Sequence, residues 1–273
     1  MTNLAQIKHI VCVASGKGGV GKSTTAVNLS VALHALGHKV GLLDADIYGP
    51  SIPLMMGVPP DTRPQVRDQK YIVPIVAHGV ECNSMGFLVD PKTAMVWRAP
   101  MIVSAFNQIL NDTAWSDLDY LIIDMPPGTG DIQLSLAQSV QLSGAVVVTT
   151  PQDVALLDAR KGIEMFNKVG VPLLGVVENM STHVCSNCGH EEAIFGAGGG
   201  DRLSADYGVG VIGQLPLELG IREHTDAGTP VVASDQSSTA AQAYLALATN
   251  VVNAVAEKSS SAKTGPTIKV SDD

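Results

Sequence analysis

Residues 16–23 read Gly-Lys-Gly-Gly-Val-Gly-Lys-Ser, and this stretch decides the fold. It satisfies the phosphate-binding pattern G-x-x-x-x-G-K-[ST] and stands between an apolar run, His9–Ala14, and a segment of helical period, Ser23–Leu36. The glycines let backbone N–H groups turn toward phosphate oxygens, and the first turn of the helix adds a favourable dipole. The sequence therefore predicts a strand, a phosphate loop and a helix in that order.

Two side chains of this stretch have defined chemistry. Lys22 is expected to reach the β- and γ-phosphates of ATP, and the Ser23 hydroxyl is expected to ligate Mg²⁺. Further nucleotide contacts are predicted for the rest of the loop and the first helical turn. These residues are Gly18, Gly19, Val20, Gly21 and Thr24.

Short apolar runs alternate with segments of helical length along the rest of the chain. The runs are rich in Val, Ile and Leu without polar alternation, which is typical of parallel strands covered on both faces. They are Lys39–Leu43, Tyr71–Val76, Leu118–Ile123, Ala145–Thr150, Leu173–Val177 and Gly210–Leu215. The further helical segments are Trp97–Leu110, Asp153–Val169 and Ser238–Glu257. This alternation predicts an α/β fold with a mostly parallel, doubly wound sheet covered by helices.

Length and composition bound the domain organisation. The 273 residues are 45% apolar and 16% charged, enough for a sizeable core, and no linker divides the chain. We predict a single P-loop domain over residues 1–257, interrupted by a long structured loop between Pro50 and Pro74. The polar, Ser-rich segment 258–273 is expected to be a disordered tail.

Charge and cysteine usage exclude several classes of protein. The formal charge of −9 argues against a nucleic-acid partner, because phosphate backbones are bound by clustered positive charge. No apolar run reaches the roughly 18 residues that a membrane-spanning helix needs, so no membrane partner is expected. The N-terminus lacks the features of a signal peptide, and the four cysteines are too few for a disulfide framework. We expect a cytoplasmic protein.

Carboxylates follow two of the predicted strands. Asp44 and Asp46 close the run that begins at Leu42, and Asp124 ends the apolar run from Leu121, as in a Walker B strand. Because the carboxyl ends of parallel strands meet at one edge of a sheet, we expect these acids beside the phosphate loop. Mg²⁺ with its water molecules is the natural partner of such a group of carboxylates.

Two of the four cysteines form a C-x₂-C pair, Cys185 and Cys188, followed by Gly189. Two thiolates at this spacing can bind one metal centre, and the glycine supplies the permissive backbone of a metal knuckle. The other two, Cys12 and Cys82, stand in apolar surroundings that are typical of small core residues.

The pair supplies only half of a four-thiolate site, and three completions remain open. His183 and His190 would complete a zinc site within one chain. The two cysteines would instead form a redox disulfide. A twofold axis would bring the pairs of two subunits together around one shared iron–sulfur cluster.

The loop carries a second lysine, Lys17, and on this residue the sequence resembles the deviant Walker A superfamily, K-G-G-x-G-K-[ST]. Its members include MinD, ParA, nitrogenase iron protein and the Mrp/ApbC-type carriers. In that superfamily the first lysine contacts the nucleotide of the partner subunit, so the resemblance implies that Lys17 acts in trans within a homodimer. It also implies that Asp46 orients the attacking water and that Asp44 supports the outer shell of the metal.

The same resemblance assigns four further residues. Asp124 would hold a water molecule of Mg²⁺, and the backbone N–H of Gly128 would sense the γ-phosphate. Asn179 would contact adenine, and the backbone of residues 214–216, which ends at Pro216, would cover the base.

Longer motifs narrow the resemblance to the Mrp/ApbC-type iron–sulfur cluster carrier ATPases, over residues 8 to 255 or so. They are LLDADIYGPSIP from Leu42, DMPPGTGD from Asp124, ENMS from Glu178, FGAGGG from Phe195 and IRE from Ile221. Gly86–Val89 and Trp97–Arg98 are similar to the branch that includes the mitochondrial carrier for complex I assembly. Ala99 stands where the family often has glycine.

The resemblance implies an ATPase that assembles a [4Fe-4S] cluster across a homodimer and transfers it to apo iron–sulfur proteins. One alternative is a ParA- or MinD-like positioning ATPase with a zinc-bound C-x₂-C pair, against which the charge of −9 argues. A second is an electron-transfer ATPase of the nitrogenase iron protein type, whose cluster ligands are isolated cysteines. A third is a zinc-stabilised signalling NTPase.

Overall fold

The computed structural model describes residues 3–87, 98–185 and 187–262. Its strands are β1 His9–Ala14, β2 Val40–Asp44, β3 Val66–Arg67, β4 Tyr71–Ile72, β5 Ile75–Ala77, β6 Val80–Ser84, β7 Tyr120–Asp124, β8 Gly144–Thr149, β9 Leu173–Glu178, β10 His183–Val184, β11 Glu191–Glu192 and β12 Val211–Gln214. Its helices are α1 Lys22–Ala35, α2 Ile52–Met55, α3 Ala99–Asp112, α4 Asp131–Ser139, α5 Asp153–Lys168, α6 Gly199–Tyr207, α7 Leu219–Asp226, α8 Val231–Ser234 and α9 Thr239–Ala262. Short 3₁₀ helices occupy Asn3–Gln6 and Met85–Phe87.

Eight strands form one sheet in the order β12-β9-β8-β1-β7-β2-β6-β5. All pairs in this sheet are parallel except β5 with β6. The two short ribbons, β3 with β4 and β10 with β11, are antiparallel. The predicted α/β fold with a mostly parallel, doubly wound sheet is confirmed.

Alternate residues of the central strand β1 feed two separate cores. Val11 and Val13 pack in the core that contains α1 and α9, whereas Cys12 packs in the core that contains α3 and α5. The largest side chains of these cores, such as Tyr244 and Phe106, are fully buried. Because both faces are covered, the central strands carry apolar residues on both faces along most of their length, which is typical of parallel sheets.

Several predicted elements differ from the structure. The run Tyr71–Val76 is not a core strand, because it divides between β4, in a small hairpin, and the partly exposed β5. The segment Pro50–Pro74 is not loop throughout, since it contains α2 and the hairpin of β3 and β4. Strand β6 is absent from the predicted runs.

Other predicted boundaries differ, or lie outside the described residues. Helix α3 begins at Ala99, and Trp97 of the predicted helix lies outside the described residues, as do Leu88 and Val89. Helix α9 continues to Ala262, so the predicted tail boundary after Glu257 falls within a helix. Residues 263–273 lie outside the description, and the division into one domain and a tail stays a prediction. Within the described ranges, no helix has the length and apolar character needed to cross a membrane.

Candidate functional site

The strand ends of the central sheet bring the predicted residues to one edge. Asp124 at the end of β7 is in register with Val13 of β1 on one side and with Asp44 of β2 on the other. The phosphate loop leaves the end of β1 at the same edge. The edge predicted from the sequence therefore places the loop and the acids of β2 and β7 together.

Two glycines of the loop are required by close approach. A Cβ atom on Gly16 would collide with the backbone carbonyl of Asp158, so α5 packs directly on the loop. Gly21 has a φ of 84°, and a Cβ atom there would collide with the side-chain nitrogen of Asn179. Only glycine adopts such a left-handed conformation at low cost, and only glycine lacks the Cβ atom that would collide. These contacts fix the loop between α5 and Asn179.

Lys22, Ser23 and Asp124 form a buried hydrogen-bonded group. The Lys22 Nζ atom lies 2.6 Å from Asp124 Oδ1 and 3.1 Å from Ser23 Oγ. Ser23 Oγ donates to Asp124 Oδ2 at 2.6 Å. Burial raises the pKa of Asp124, and the lysine ammonium and the serine hydroxyl oppose this rise. The three residues thus meet as the sequence predicts for a phosphate lysine and a metal site.

Asp44 connects the nucleotide edge to two neighbouring elements. Its Oδ2 atom accepts hydrogen bonds from Ser84 Oγ of β6 at 2.9 Å and from the N–H of Ile52 of α2 at 3.2 Å. Its Oδ1 atom accepts from the N–H of Asp46 at 3.1 Å. Burial, together with the nearby Asp124, raises the pKa of Asp44 to about 7. The carboxylate of Asp44 is therefore engaged within the fold.

Asp46 and Ser23 complete the set of oxygen donors at this edge. Asp46 is 8% exposed, and its Oδ1 atom accepts from the N–H of Gly49 at 3.3 Å. A hydroxyl and carboxylates are the oxygen ligands that Mg²⁺ takes in nucleotide sites, directly or through water. The donors on Ser23, Asp124, Asp44 and Asp46 therefore fit this ion.

The predicted γ-phosphate sensor and the predicted trans lysine are also at this edge. The N–H of Gly128 donates to the carbonyl of Ser15 at 2.9 Å, so that N–H already has a partner. Lys17 is half-buried in the loop, and its own carbonyl accepts from Ser15 Oγ at 2.8 Å. Gly18 and Gly19 are exposed, whereas Val20 is buried. The middle of the loop, at Gly18 and Gly19, is therefore open to solvent, whereas Gly16 and Gly21 at its two ends pack against α5 and Asn179.

The predicted adenine contacts lie beside the loop. Asn179 is buried, its amide donates to the carbonyl of Val20 at 2.9 Å, and its N–H donates to the carbonyl of Thr149. The segment that contains Pro216 runs next to it, because the N–H of Leu215 donates to the carbonyl of Glu178 at 2.9 Å. Asn179 and Pro216 are thus held near the phosphate loop.

The C-x₂-C pair lies on a short hairpin formed by β10 and β11. The N–H of Cys185 donates to the carbonyl of His190 at 2.9 Å, and the N–H of Gly189 donates to the carbonyl of Cys185 at 2.8 Å. Gly189 has a φ of 71°, which closes the turn. Cys185 is half-buried and Cys188 is exposed. This is the tight turn that two thiolates need to face one metal centre.

Cys185 is tuned toward the thiolate. Hydrogen bonds from the backbone N–H groups of Asn187 and Cys188 lower the pKa of Cys185, since they stabilise its negative charge. Cys12 and Cys82 are the opposite case. Burial raises the pKa of each of these two thiols to about 12. The prediction that Cys12 and Cys82 are core residues is confirmed.

The hairpin does not form a complete metal site within one chain. Among the described residues, no three His, Cys, Asp or Glu side chains are grouped so that they would hold a metal ion. In the part of the chain that the structure describes, His183 and His190 are not grouped with the two cysteines as a metal site, and the His183 Nδ1 atom bonds the carbonyl of Leu217 at 2.9 Å. Cys185 and Cys188 are free thiols.

The carboxylate of Glu178 joins the two ends of the chain segment that carries the hairpin, from the end of β9 to the start of α6. Glu178, at the end of β9, is buried, and its Oε2 atom accepts from the N–H of Gly200 in the first turn of α6 at 2.5 Å. Its Oε1 atom accepts from the side chain of Gln214 at 3.4 Å. The chain between β9 and α6, which carries both cysteines, therefore leaves and re-enters the fold at one point.

Sequence reasoning missed some residues that shape the site. Ser84 supports Asp44 from a strand that the apolar runs do not include, and Glu178 enters the sequence argument only as part of a motif. Thr150, at the end of β8, has a buried hydroxyl without a hydrogen-bond partner in the described part of the chain. The available signal was positional, because each of these polar residues stands at the end of a strand, where an α/β sheet presents its site.

Comparison with solved structures defines the class of protein as a P-loop NTPase. A nucleotide-binding protein of Archaeoglobus fulgidus, solved in complex with ADP, matches with a TM-score of 0.75 and 35% identity, covering 86% of this chain and 91% of that one. The cell division ATPase MinD of Pyrococcus furiosus matches with a TM-score of 0.65 and 26% identity, covering 90% and 99%. The fold is that of the MinD- and ParA-type NTPases.

The family follows from the sequence comparison. The family model described as NUBPL iron-transfer P-loop NTPase matches residues 6–252, and the chain belongs to this family. The resemblance to Mrp/ApbC-type carriers and to their complex I-assembly branch is thereby confirmed.

Three relatives illustrate the range of the family. An iron-sulfur cluster carrier protein of Pseudomonas fragi is 62% identical, over 90% of this chain and 85% of its own length. The iron-sulfur cluster carrier protein of Escherichia coli K12 is 58% identical, over 90% of this chain and 66% of its own length. The iron-sulfur cluster transfer protein NUBPL of Mus musculus is 51% identical, over 90% and 77%.

Proposed function

We propose that this chain is an ATP-hydrolysing carrier that assembles a [4Fe-4S] cluster between the cysteine pairs of two copies and passes it to apo iron–sulfur proteins. The cluster is cargo in this proposal. The names of the relatives support it, since they are carriers or transfer proteins for iron–sulfur clusters.

One observation carries the proposal. The two thiols of the hairpin are accessible and pre-shaped for a metal centre, yet the described part of the chain offers no third ligand beside them. A four-thiolate cluster site is complete only when a second pair arrives. In a twofold dimer each residue near the axis lies near its own copy, so a second chain supplies that pair. A site shared in this way opens when the two copies move apart.

ATP binding uses the phosphate loop in this proposal. Lys22 exchanges its bond to Asp124 for oxygens of the β- and γ-phosphates, while the backbone of residues 18–21 and the first turn through Thr24 surround the phosphates. Lys17, half-buried in the same loop, reaches the nucleotide of the partner subunit. The charge of that nucleotide thus draws the two copies together.

Hydrolysis uses the acids of β2 and β7. Asp46 orients the attacking water, Asp124 holds a water molecule of the metal, and Asp44 fixes the backbone of Asp46. The Ser23 hydroxyl would hold Mg²⁺, which would supply charge neutralisation at the β- and γ-phosphates. The N–H of Gly128 changes partner from Ser15 to the γ-phosphate.

Nucleotide selection falls to Asn179 and to the backbone that ends at Pro216. Both lie beside the loop through the hydrogen bonds to Val20 and Glu178. The carboxamide of Asn179 offers a donor and an acceptor to the edge of adenine, and the carbonyl of Pro216 offers an acceptor.

Anaerobic reconstitution with iron and sulfide tests the carrier proposal. The cysteine pairs of two copies should hold about four irons per dimer, with the visible absorption of a [4Fe-4S] cluster. Size-exclusion chromatography should show the cluster only in the dimer fraction. A protein that retains zinc and takes up no iron, or one that loads iron as a monomer, contradicts the proposal.

A second experiment tests the coupling to ATP. Cluster transfer to an apo-ferredoxin is followed with and without ATP, in the wild-type protein and in the Lys17→Ala variant. The variant should keep its cluster, since Lys17 is not one of the proposed cluster ligands, but should lose the effect of ATP on transfer. Equal stimulation by ATP in both proteins contradicts the trans role of Lys17.

A further inference from the structure

The segment proposed to cover adenine is joined to the base of the cysteine hairpin by a row of backbone hydrogen bonds. The N–H of Leu215 donates to the carbonyl of Glu178 at 2.9 Å, and the N–H of Ser181 donates back to the carbonyl of Leu215 at 2.9 Å. Two residues further, the N–H of Leu217 donates to the carbonyl of Thr182 at 2.7 Å. Residues 215–217 and 178–182 are therefore joined side by side as one ribbon of backbone.

One side chain extends this ribbon into the hairpin. The Nδ1 atom of His183 lies 2.9 Å from the carbonyl oxygen of Leu217. Because a carbonyl oxygen only accepts, Nδ1 carries the proton and donates. His183 is the first residue of β10, is half-buried, and precedes Cys185 by two residues. Its ring thus ties the strand that leads to the first thiol to the segment beside the nucleotide.

The chain between the nucleotide edge and the hairpin is held by its contacts. Met180 has a φ of 56°, a left-handed conformation that is unfavourable for a residue with a side chain. It lies between Asn179, whose amide bonds the carbonyl of Val20 at 2.9 Å, and Ser181, whose hydroxyl bonds Leu215. Such a conformation persists only where neighbouring contacts impose it. The backbone at the start of the hairpin is therefore fixed by the contacts of Asn179 and Ser181 on either side of Met180.

We infer that His183 is a positioning residue that transmits nucleotide binding at Asn179 and residues 214–216 to the cysteine pair of the same protomer. The inference rests on the proposed carrier function and goes beyond it, since it places a coupling path inside one chain in addition to any change at the dimer interface. A nucleotide that contacts Asn179 and the covering segment favours one arrangement of the ribbon, and the bond from His183 to Leu217 carries that arrangement to Cys185.

His190 provides a matched control in the same hairpin. It is exposed, and its backbone carbonyl, not its ring, accepts the bond from Cys185. A His→Leu change at position 183 removes the donor to Leu217, whereas the same change at position 190 leaves that bond intact. His183→Asn is the rescuing variant, because an asparagine amide places its nitrogen where Nδ1 stands.

Hydrogen exchange on the metal-free protein gives a readout that needs no cluster. Peptides spanning residues 181–192 are compared with and without the non-hydrolysable analogue AMP-PNP and Mg²⁺. In the wild type and in His190→Leu, we expect slower exchange with nucleotide by about fivefold, within the usual range of coupling between sites. His183→Leu should lose this difference and His183→Asn should regain it.

Cluster release to a chelator gives the second readout. The reconstituted proteins are mixed with an iron chelator with and without AMP-PNP, and the ratio of the two release rates is compared. The ratio should fall to about one in His183→Leu and return in His183→Asn, while iron loading stays near the wild-type value.

Three results overturn the inference. The first is that AMP-PNP slows exchange in the hairpin of His183→Leu as much as in the wild type. The second is that AMP-PNP protects the phosphate loop of the wild type but leaves exchange in its hairpin unchanged. The third is that His190→Leu loses the slowing of exchange to the same extent as His183→Leu. If His183→Leu fails to fold, His183→Gln serves as the second removal variant, since its amide nitrogen stands one bond too far out. A wild type that takes up no iron contradicts the carrier proposal, whereas the exchange experiment decides the coupling separately.

Discussion

The nucleotide edge and the cysteine hairpin satisfy their polar groups in different ways. At the edge, Asp44 and Asp124 are fully buried, and both oxygens of each carboxylate have hydrogen-bond partners within the chain. On the hairpin, Cys188 is exposed, and two two-residue strands hold the turn. A buried charge must find its partner locally, whereas an exposed thiol pair remains open to ligands from another molecule. The buried carboxylates of the first region are therefore satisfied within one chain, whereas the second region remains open to the thiolates that we propose a second copy supplies.

The largest effect is expected from breaking the buried group at the edge. Lys22→Met should lower ATP hydrolysis by about 100-fold or more, because the positive charge that stabilises the transferred phosphoryl group is lost. It should also lower the free energy of unfolding by about 3 kcal/mol, since Asp124 is left buried without its ion pair. Steady-state phosphate release and urea unfolding measure the two effects.

A double variant separates these two causes. Lys22→Met with Asp124→Asn removes both charges, so stability should return toward the wild type while hydrolysis stays lost. The exposed pair of Lys161 with Asp158 is the control, and Lys161→Met should change stability by less than about 0.5 kcal/mol. Recovery of hydrolysis in the double variant contradicts the role of Lys22.

A single substitution in the hairpin should abolish cluster binding while stability and ATP hydrolysis stay unchanged. Cys185→Ser should reduce iron loading from about four to less than about one per dimer, because only two of the four thiolates of the shared site remain. Its unfolding free energy and its ATP hydrolysis without cluster should stay close to wild type, since the thiol is not part of a core. Iron analysis and urea unfolding check both. Cys82→Ala, which changes a buried cysteine, should keep the iron.

Thiol reactivity sharpens the contrast among the four cysteines. Iodoacetamide near neutral pH should modify Cys185 at least about tenfold faster than Cys12 or Cys82, because reactivity follows thiolate character and access. The pKa of Cys185 is lowered by backbone N–H groups, while burial raises that of the two core thiols to about 12. Mass spectrometry of timed samples measures the order. Modification of Cys12 in the folded protein at the rate of Cys185 would show that the two are not distinct.

The last prediction concerns the pH dependence of stability. The pKa of Asp44 is about 7 in the folded chain, above its ordinary value of about 4, so the folded state holds a proton that the unfolded state has lost. Stability from this group is therefore lost as pH rises from about 4 to about 7. Asp44→Asn should flatten that fall, by on the order of 1 kcal/mol for each pKa unit removed. Urea midpoints at several pH values, without nucleotide, measure it, and Asp61→Asn, at an exposed acid, should change nothing.

The sequence predicted those parts of the fold in which the pattern of apolar residues matches their burial in the structure. Strand β1 and helix α1 follow from an apolar run and a helical period on either side of the phosphate loop. Strand β6 was missed because Glu81, Asn83 and Ser84 give it a polar composition. Asn83 and Ser84 are buried nonetheless, because Thr113 and Asp44 supply hydrogen bonds from distant parts of the chain. No local pattern reveals partners of that kind.

The site shows the same division. Motif spacing placed Lys22, Ser23 and Asp124 together, and the structure joins them within 3.1 Å. The bond between Gly128 and Ser15 and the bond between His183 and Leu217 were not predicted, because each depends on how two loops meet after the sheet has formed. Of the three ways to complete the cysteine pair, the zinc site with His183 and His190 gains no support from the structure, because His183 Nδ1 is bonded to the carbonyl of Leu217.

The bond from Glu178 to Gly200 has a consequence for how such a protein is built and altered. The chain between β9 and α6 starts and ends at one hydrogen bond, between Glu178 and Gly200. The residues between these two points can therefore be exchanged for others while the ends stay in place. Lengthening a loop with closed ends costs little free energy, roughly 0.6 kcal/mol for each doubling. Different metal-binding turns can therefore be grafted onto the same ATPase frame without redesigning its core. The exchangeable segment begins directly after Glu178, the last residue of β9.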